Sequence, residues 1–249
     1  MKPATYVLVH GAWHDGRCWQ ALAEHLQAQG STVLMPDLPG HGSHTLPLED
    51  VSLKRYVLSL QELLEQQDEP AVLLAHSMAG IPATIAACDL PDKIATLVYL
   101  CAYLPRPGDS VFSLIDTLRG EEPATDIELA MSLSADKRRC LLDVQQAAEL
   151  FYNGLPEAEA EHLVARLGVQ SSLPLAARAR FSQERFESLN SAYICCTRDR
   201  VIPPLHQRRM LARQSCGKLL QAEFDHSPFH STPGLLARLL LSLHQDTSE

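Results

Sequence analysis

The stretch "AVLLAHSMAG" contains a serine in the kind of turn that presents a catalytic nucleophile. Ser77 follows an apolar run at 71–75 and precedes "MAGIPATIAAC", which has the pattern of a helix start. A strand, a sharp turn and a helix form the context in which a serine is exposed as a nucleophile. Ala75 and Ala79 lie two positions either side of Ser77, and both are small enough for such a turn. The alternative interpretation is an ordinary serine at a strand end.

A nucleophilic serine needs a general base and an acidic group that orients the base. Asp199 follows the apolar run at 192–197, and His226 follows the run at 218–224. The order Ser, Asp, His, with each residue after a strand, is the order that accompanies this kind of turn. We therefore predict a catalytic triad of Ser77, Asp199 and His226.

Neighbouring polar residues are weaker candidates for the same roles. Asp225 is adjacent to His226, and adjacent side chains on an extended chain point to opposite sides. His230 is a second candidate base, but it lies near the start of the final helix pattern. His76 should point away from the hydroxyl of Ser77. The other candidates are interpreted as structural or exposed residues: His10, Asp37, His41, His44, Cys195 and Cys196.

An acyl-transfer site also needs hydrogen-bond donors for a developing oxyanion. The amide of Met78, the residue after the predicted nucleophile, would supply one donor. The second would come from the loop "HGAWHDGRCW", where Gly11 lets the backbone approach closely and Ala12 offers its amide. A tight turn without a catalytic role is the other interpretation of this His-Gly pair.

The elements that would position these residues follow an alternating pattern of strands and helices. Six apolar runs are nearly continuous, as expected for strands buried on both faces. They span residues 5–9, 31–36, 71–75, 94–100, 192–197 and 218–224. Amphipathic patterns begin near Trp19 and Leu53, and the last helix opens with Thr232 and Pro233. This alternation predicts an α/β fold with a mainly parallel sheet and helices on both faces.

Residues 105 to about 190 interrupt the alternation. They contain helix-like segments, such as "DVQQAAELFY" and "PEAEAEHLVARLG", and no convincing strand. An insertion of this length is too long for a simple loop. We predict a helical cap over the carboxyl edge of the sheet, where open α/β sheets bind ligands. Core and cap would form a single domain of residues 1–249.

Composition narrows the class of protein and its partners. The hydrophobic fraction of 46% and the charged fraction of 20% are ordinary for a soluble globular protein. A net charge of −9 without a basic run argues against nucleic-acid binding. No apolar run reaches the roughly 18 residues of a membrane span. The apolar run near the amino terminus is interpreted as a first strand rather than a signal peptide.

Cysteine spacing argues against a structural metal site. The seven cysteines form no C-x-x-C pair and no cluster with zinc-ligand spacing. Most lie in apolar segments, where buried free thiols are expected. We therefore expect no metal and a cytoplasmic location, since that compartment keeps thiols reduced.

These motifs resemble the α/β-hydrolase fold, and in particular the subfamily of plant methylesterases, hydroxynitrile lyases and their bacterial esterase relatives. The resemblance spans most of the chain and rests on "VLVHGAWHDGRCW", "MPDLPGHG", "LLAHSMAG", "YICCTRDRVIP" and "DHSPFHSTP". It implies triad roles for Ser77, Asp199 and His226. It also implies that the amides of Ala12 and Met78 form the oxyanion hole.

Two positions favour an esterase over a lyase within this subfamily. The lyases that resemble this chain carry Thr at the place of Gly11 and, after the catalytic His, a Lys that handles the cyanide leaving group. Here the second position is Ser227, so no cation is provided for cyanide. Dehalogenase and epoxide hydrolase relatives carry Asp at the place of Ser77, which disfavours those activities.

We therefore expect a cofactor-free serine hydrolase that cleaves small to medium apolar carboxylic esters through an acyl-enzyme. Its partner would be a small-molecule ester, with no nucleic acid and no membrane. The predicted substrate-binding residues are Gly11, Trp13, Met78, Tyr103, Leu104 and Phe112. The open alternatives are a hydroxynitrile lyase, another cofactor-free lyase or oxygenase on the same scaffold, and a non-catalytic ligand receptor. A homodimer is an open assembly state.

Overall fold

The main sheet has six parallel strands. A computed structural model describes residues 4–245, and nine strands are found within them. They are β1 (Thr5–Val9), β2 (Thr32–Leu34), β3 (Ala71–His76), β4 (Ile94–Leu100), β5 (Met131–Leu133), β6 (Arg139–Leu142), β7 (Gln170–Ser171), β8 (Ser191–Cys196) and β9 (Lys218–Ala222). The main sheet has the order β2-β1-β3-β4-β8-β9, and every neighbouring pair is parallel. All six predicted strands are present, with ends that differ by a few residues.

The helices fill the connections between these strands. Those of residues 4–245 are α1 (Gln20–Gln27), α2 (Leu53–Glu65), α3 (Gly80–Asp89), α4 (Val111–Arg119), α5 (Asp126–Ala130), α6 (Val144–Phe151), α7 (Glu157–Val164), α8 (Ser172–Ala176), α9 (Gln183–Ser188), α10 (Pro204–Arg213), α11 (Pro228–Ser231) and α12 (Pro233–Gln245). The final helix starts at Pro233, as predicted. Among the described helices, none combines the length and apolar character needed to cross a membrane.

Alternate strand residues pack into two separate cores, one on each face of the sheet. Val7, Leu73 and Leu97 belong to the core that also contains the buried residues of α2 and α3. Leu8 and Leu74 belong to the opposite core, which contains the buried residues of α1 and α12. Because successive side chains on a strand point to opposite faces, both faces of each central strand are apolar. This explains the nearly continuous apolar runs in the sequence.

The segment between β4 and β8 contains both helices and a small sheet. Helices α4 to α9 lie within it, together with an antiparallel sheet of order β5-β6-β7. The prediction that this segment lacks strands was wrong. Its strands are two to four residues long, and β5 and β6 leave Leu133 and Leu141 exposed. So short a pattern carries no clear signal of a half-buried strand.

Several hydrogen bonds join this segment to the core of the protein. The Trp13 carbonyl accepts from the Gly168 amide at 2.7 Å, and Trp13 Nε1 donates to the Cys140 carbonyl at 3.0 Å. The Gly154 amide donates to Asp225 Oδ2 at 3.1 Å. These contacts attach the inserted segment to loops at the carboxyl edge of the sheet.

Candidate active site

Ser77 lies in a strained turn between β3 and α3. Its φ angle is +54°, in the left-handed region that residues with a side chain rarely adopt. Strand β3 ends at His76, a 3-10 turn spans Ser77–Ala79, and α3 begins at Gly80. A Cβ atom at Gly80 would lie 2.0 Å from the Tyr103 carbonyl oxygen, so glycine is needed for the close approach of that chain segment. This is the geometry expected where a strand turns sharply into a helix to present a serine.

His226 and Asp199 form a buried pair. His226 Nδ1 lies 2.8 Å from Asp199 Oδ2, and both side chains are fully shielded from solvent. Asp199 Oδ1 accepts from the amides of Val201 and Ile202 at 2.7 and 2.8 Å. These two amides fix the carboxylate and stabilise its charge. The pair therefore has one rigid orientation, with His226 Nδ1–H donating to the carboxylate.

The second ring nitrogen of His226 is available to accept a proton. His226 Nε2 is buried and has no hydrogen-bond partner among residues 4–245. Because Nδ1 donates to Asp199, Nε2 carries the lone pair in the neutral ring. No hydrogen bond joins it to Ser77 Oγ in this structure, and such bonds commonly tighten only when substrate binds. The Ser77 residue itself is 6% exposed.

The loop after β1 packs directly against the Ser77 turn. A Cβ atom at Gly11 would lie 2.8 Å from His76 Nδ1 and 2.9 Å from Ser77 Cβ. Both amides predicted to bind an oxyanion belong to buried residues, Ala12 and Met78. The Ala12 amide donates to no acceptor within the described part of the chain. Only glycine at position 11 allows this close approach.

Two buried histidines, His10 and His14, form hydrogen bonds to backbone carbonyls of the loop after β1. His10 donates through Nδ1 to the Gly11 carbonyl at 2.8 Å, and its Nε2 accepts from the Leu38 amide at 3.0 Å. His14 lies 2.8 Å from the Ala12 carbonyl through Nδ1 and 2.9 Å from the Tyr152 hydroxyl through Nε2. Burial lowers the pKa of both imidazoles to about 3, so both are neutral. The structural interpretation of His10 fits these contacts.

His14 and Tyr152 were not identified from the sequence. Their hydrogen bond joins residues 138 positions apart. A contact of this kind leaves no local pattern in a single sequence. The loop sequence "HGAWHDGRCW" predicted only a close approach of the backbone at Gly11 and an amide at Ala12.

Asp225 and His230, the weaker candidates for the acid and the base, have other partners. Asp225 accepts from the Ser231 hydroxyl at 2.7 Å and from the Gly154 amide, so its carboxylate faces the inserted segment. His230 packs against the Tyr152 ring, with the ring centroids 5.7 Å apart, and has no carboxylate partner among the described residues. Asp37 accepts from Gly16 and Ser43, as expected for a residue that organises a loop.

The predicted substrate-binding residues are divided between the core and a cavity. Trp13 and Tyr103 are buried, and the Tyr103 amide donates to the Ser77 carbonyl at 3.0 Å. Leu104 is fully buried, so it is part of the core in this structure. Phe112 lines a cavity of about 460 Å³ whose wall includes Cys140, the partner of Trp13 Nε1. Ser77 does not line that cavity.

One group of possible metal ligands lies next to the site. Within residues 4–245, donor atoms of His76, Cys101 and His226 lie within 4.8 Å of one another, and all three residues are buried. His76 Nε2 lies 2.8 Å and Cys101 Sγ 3.5 Å from the His226 carbonyl oxygen. His226 Nδ1 is paired with Asp199. His76 Nε2 and Cys101 Sγ thus share one carbonyl acceptor, whereas His76 Nδ1 and His226 Nε2 have no partner within the described structure.

Comparison with known proteins defines the family. A family model described as "Alpha/beta hydrolase family" matches residues 6–239, and the chain belongs to that family. It is 31% identical to Methylesterase 7 of Arabidopsis thaliana over 96% of this chain and 95% of the relative. It is 28% identical to a pyrethroid hydrolase of Sphingobium wenxiniae over 96% and 87% of the two chains. The predicted fold and family resemblance are confirmed.

A solved structure agrees with this assignment. The crystal structure of polyneuridine aldehyde esterase matches with a TM-score of 0.87 and 26% sequence identity. The match covers 97% of this chain and 99% of the esterase. The similarity therefore includes the inserted segment between β4 and β8 as well as the main sheet.

Proposed function

We propose that this protein is a carboxylic ester hydrolase in which Ser77, His226 and Asp199 act as a catalytic triad. The observation that carries the proposal is the buried His226–Asp199 pair, whose free Nε2 lies at the same sheet edge as the strained Ser77 turn. The similarity to Methylesterase 7 and to polyneuridine aldehyde esterase supports ester hydrolysis in particular. The substrate is a small-molecule ester.

In the first half of the reaction, the Ser77 hydroxyl attacks the ester carbonyl carbon. His226 Nε2 takes the hydroxyl proton, and Asp199 stabilises the imidazolium that results. The amides of Ala12 and Met78 donate to the negatively charged carbonyl oxygen of the tetrahedral intermediate. The intermediate collapses, the carbon–oxygen bond to the alcohol breaks, and the alcohol leaves with the proton from His226.

The second half repeats these steps with water as the nucleophile. His226 takes a proton from water as the water oxygen attacks the acyl-enzyme carbonyl. The same two amides stabilise the second oxyanion. The bond to Ser77 Oγ then breaks, and the proton returns from His226 to the serine. Every proton and electron pair is handled by groups of this chain and water.

The cavity beside Trp13 is the proposed site for the larger apolar group of the ester. Its lining combines the apolar side chains of Phe112, Ile115 and Met131 with the Arg119–Glu128 ion pair. Its volume of about 460 Å³ lies within the range typical of small-molecule sites. A small to medium apolar ester therefore suits this site.

Seven free cysteines support the proposed cytoplasmic location, because that compartment keeps thiols reduced.

The residue after His226 supports hydrolysis over cyanohydrin cleavage. Ser227 is fully buried and uncharged, so it cannot act as a cation toward a cyanide leaving group. Any side chain at Gly11 would collide with His76 and Ser77, so the threonine of the similar lyases does not fit here. Both observations favour the esterase.

A panel of substrates tests this proposal. Purified protein should hydrolyse p-nitrophenyl and methyl esters, and it should leave cyanohydrins intact. Ser77→Ala and His226→Ala should each lose almost all ester hydrolysis, while His230→Ala serves as the matched control and should keep most of it. Wild-type protein that cleaves no ester in the panel, or Ser77→Ala protein that cleaves esters normally, would refute the proposal.

A further inference from the structure

We propose that His76 is a positioning residue that holds the backbone of His226 through a hydrogen bond from its Nε2–H to the His226 carbonyl. This inference rests on the proposed function, because it assigns His76 a role in keeping the base aligned. His76 has no role in the mechanism described above. The sequence suggested only that its side chain points away from the Ser77 hydroxyl.

The geometry links the predicted nucleophile directly to the predicted base. His76 is the last residue of β3 and immediately precedes Ser77. Its Nε2 lies 2.8 Å from the His226 carbonyl oxygen, and the two ring centroids are 4.5 Å apart. Both residues are fully buried. One side chain therefore connects the strand that carries Ser77 to the loop that carries His226.

The position of the ring proton follows from the partner. A carbonyl oxygen only accepts, so the proton of His76 must be on Nε2. Its Nδ1 is buried without a partner in the described structure. Burial, followed by the charges of His226 and His14, holds the pKa of His76 well below its ordinary value. The ring is therefore neutral and has a single N–H to donate.

A neutral neighbour is what the proposed base requires. His226 becomes positively charged when it takes the proton of Ser77, and a second cation 4.5 Å away would oppose that step. The titratable groups near His76 are His10, His14, Cys101 and His226. The carboxylate next to this group is Asp199, which is paired with His226 and acts on Cys101. His76 can thus orient the base without competing for its charge.

The surrounding packing alone does not explain a histidine at this position. The Trp19 and Phe229 rings contact His76, with centroids 6.1 and 4.9 Å away, and an apolar side chain would fill the same space. His76 Nε2 is the strong donor to the His226 carbonyl, at 2.8 Å. Cys101 Sγ also donates to that oxygen, at 3.5 Å, but a thiol is a weak donor.

Three variants separate positioning from packing. His76→Leu removes the Nε2–H donor, while its apolar side chain still fills the buried space. His76→Gln restores an amide N–H near the place of Nε2. Tyr193→Phe is the matched control, because it removes a buried bond of 2.9 Å from a side chain to the Ala102 carbonyl without touching His226. Each protein is compared with wild type for kcat, KM and melting temperature on the ester that wild type cleaves fastest.

We expect His76→Leu to lose about 10- to 100-fold in kcat with little change in KM, because small displacements of a catalytic group have effects of that size. His76→Gln should recover most of the loss, and Tyr193→Phe should stay within about twofold of wild type. A folded His76→Leu protein with wild-type kcat would overturn the proposal. So would a His76→Gln protein that is as impaired as His76→Leu.

A second measurement uses the wild-type protein alone and needs no ester. Nitrogen-15 NMR of the histidine side chains should show His76 as the neutral Nε2–H tautomer. The Nδ1–H tautomer, or a charged ring at neutral pH, would overturn the proposal even if the variants fail to fold. If wild-type protein instead cleaves no ester, the proposed function fails while this tautomer can still be observed, so the two failures are distinct.

Discussion

At the scale of single residues, the Asp199 carboxylate is the most constrained group of the site. It is held by two backbone amides and by His226, and it is fully buried. Its role in the proposed reaction is to hold one tautomer of His226 and to stabilise the imidazolium. This role depends on the charge and orientation of the carboxylate, so a substitution of equal size can test it without changing the fold.

Asp199→Asn should lower kcat by about 10⁴-fold, since an amide in this position favours the wrong tautomer of the base. Its oxygen can still accept from the Val201 and Ile202 amides, so the loop should keep its conformation. Steady-state kinetics and the melting temperature would be measured together. A loss below tenfold in a folded protein would show that Asp199 does not orient the base.

At the scale of elements, the site depends on close approach between two turns. The turn after β3 carries Ser77 in a left-handed conformation, and the loop after β1 lies against it at Gly11. Parallel strands bring both turns to the same edge because β1 and β3 are neighbours in the sheet. Side-chain volume at Gly11 therefore decides whether the two turns fit together.

Gly11→Ala should greatly reduce ester hydrolysis, because its Cβ would lie 2.8 Å from His76 Nδ1 and 2.9 Å from Ser77 Cβ. Gly168→Ala is a suitable control, since the nearest atom to its Cβ would be the Trp13 carbonyl oxygen at 3.6 Å. Initial rates and melting temperatures would be compared for both. Equal activity in the two variants would mean that the Gly11 loop does not contribute to the site.

The inserted segment should determine which esters fit. Phe112→Ala enlarges the cavity beside Trp13, so it should shift the preference toward bulkier esters. Lost packing would cost up to about 3–5 kcal/mol if Phe112 behaves as a core residue, so stability must be measured alongside rate. Leu129→Ala, at a residue that is 69% exposed and outside the cavity lining, is the control. An unchanged substrate profile in a stable Phe112→Ala protein would remove Phe112 from the substrate site.

At the scale of the whole molecule, buried histidines couple stability to pH. Burial lowers the pKa of His10 and His14 to about 3 and that of His41 and His230 to about 4. The unfolded chain binds a proton at each of these residues near pH 6.5, whereas the folded chain does so only at the lower values. Stability is therefore full above about pH 6.5 and falls as the pH drops toward 3 or 4.

As the pH falls through that window, each such histidine should lower the free energy of unfolding by up to about 1.4 kcal/mol per pH unit. We expect the free energy of unfolding in urea to fall clearly between pH 7 and pH 5. His41→Gln should reduce the slope of the unfolding free energy against pH by about the contribution of one proton, because it removes one buried titrating group. A free energy of unfolding that stays constant over this range would contradict the buried, neutral state of these histidines.

The sequence predicted the parts of this molecule that have local patterns. Strands β1, β3 and β4 are continuous apolar runs, and their types and order could be predicted for that reason. The small sheet of β5, β6 and β7 was missed because its strands have two to four residues and, unlike β2, do not lie within a longer apolar run. The bond between His76 and the His226 carbonyl joins residues 150 positions apart, so no local pattern indicates it.

The most direct test of the central claim is to map the residue that an active-site phosphonofluoridate modifies. The probe should form one phosphorus–oxygen bond to Ser77 and release fluoride, giving a single modified peptide that contains "LLAHSMAG". Ser77→Ala protein should remain unmodified, and wild-type protein should lose ester hydrolysis in step with the labelling. Modification at another residue, or full ester hydrolysis after complete labelling of Ser77, would contradict the assignment of Ser77 as the nucleophile.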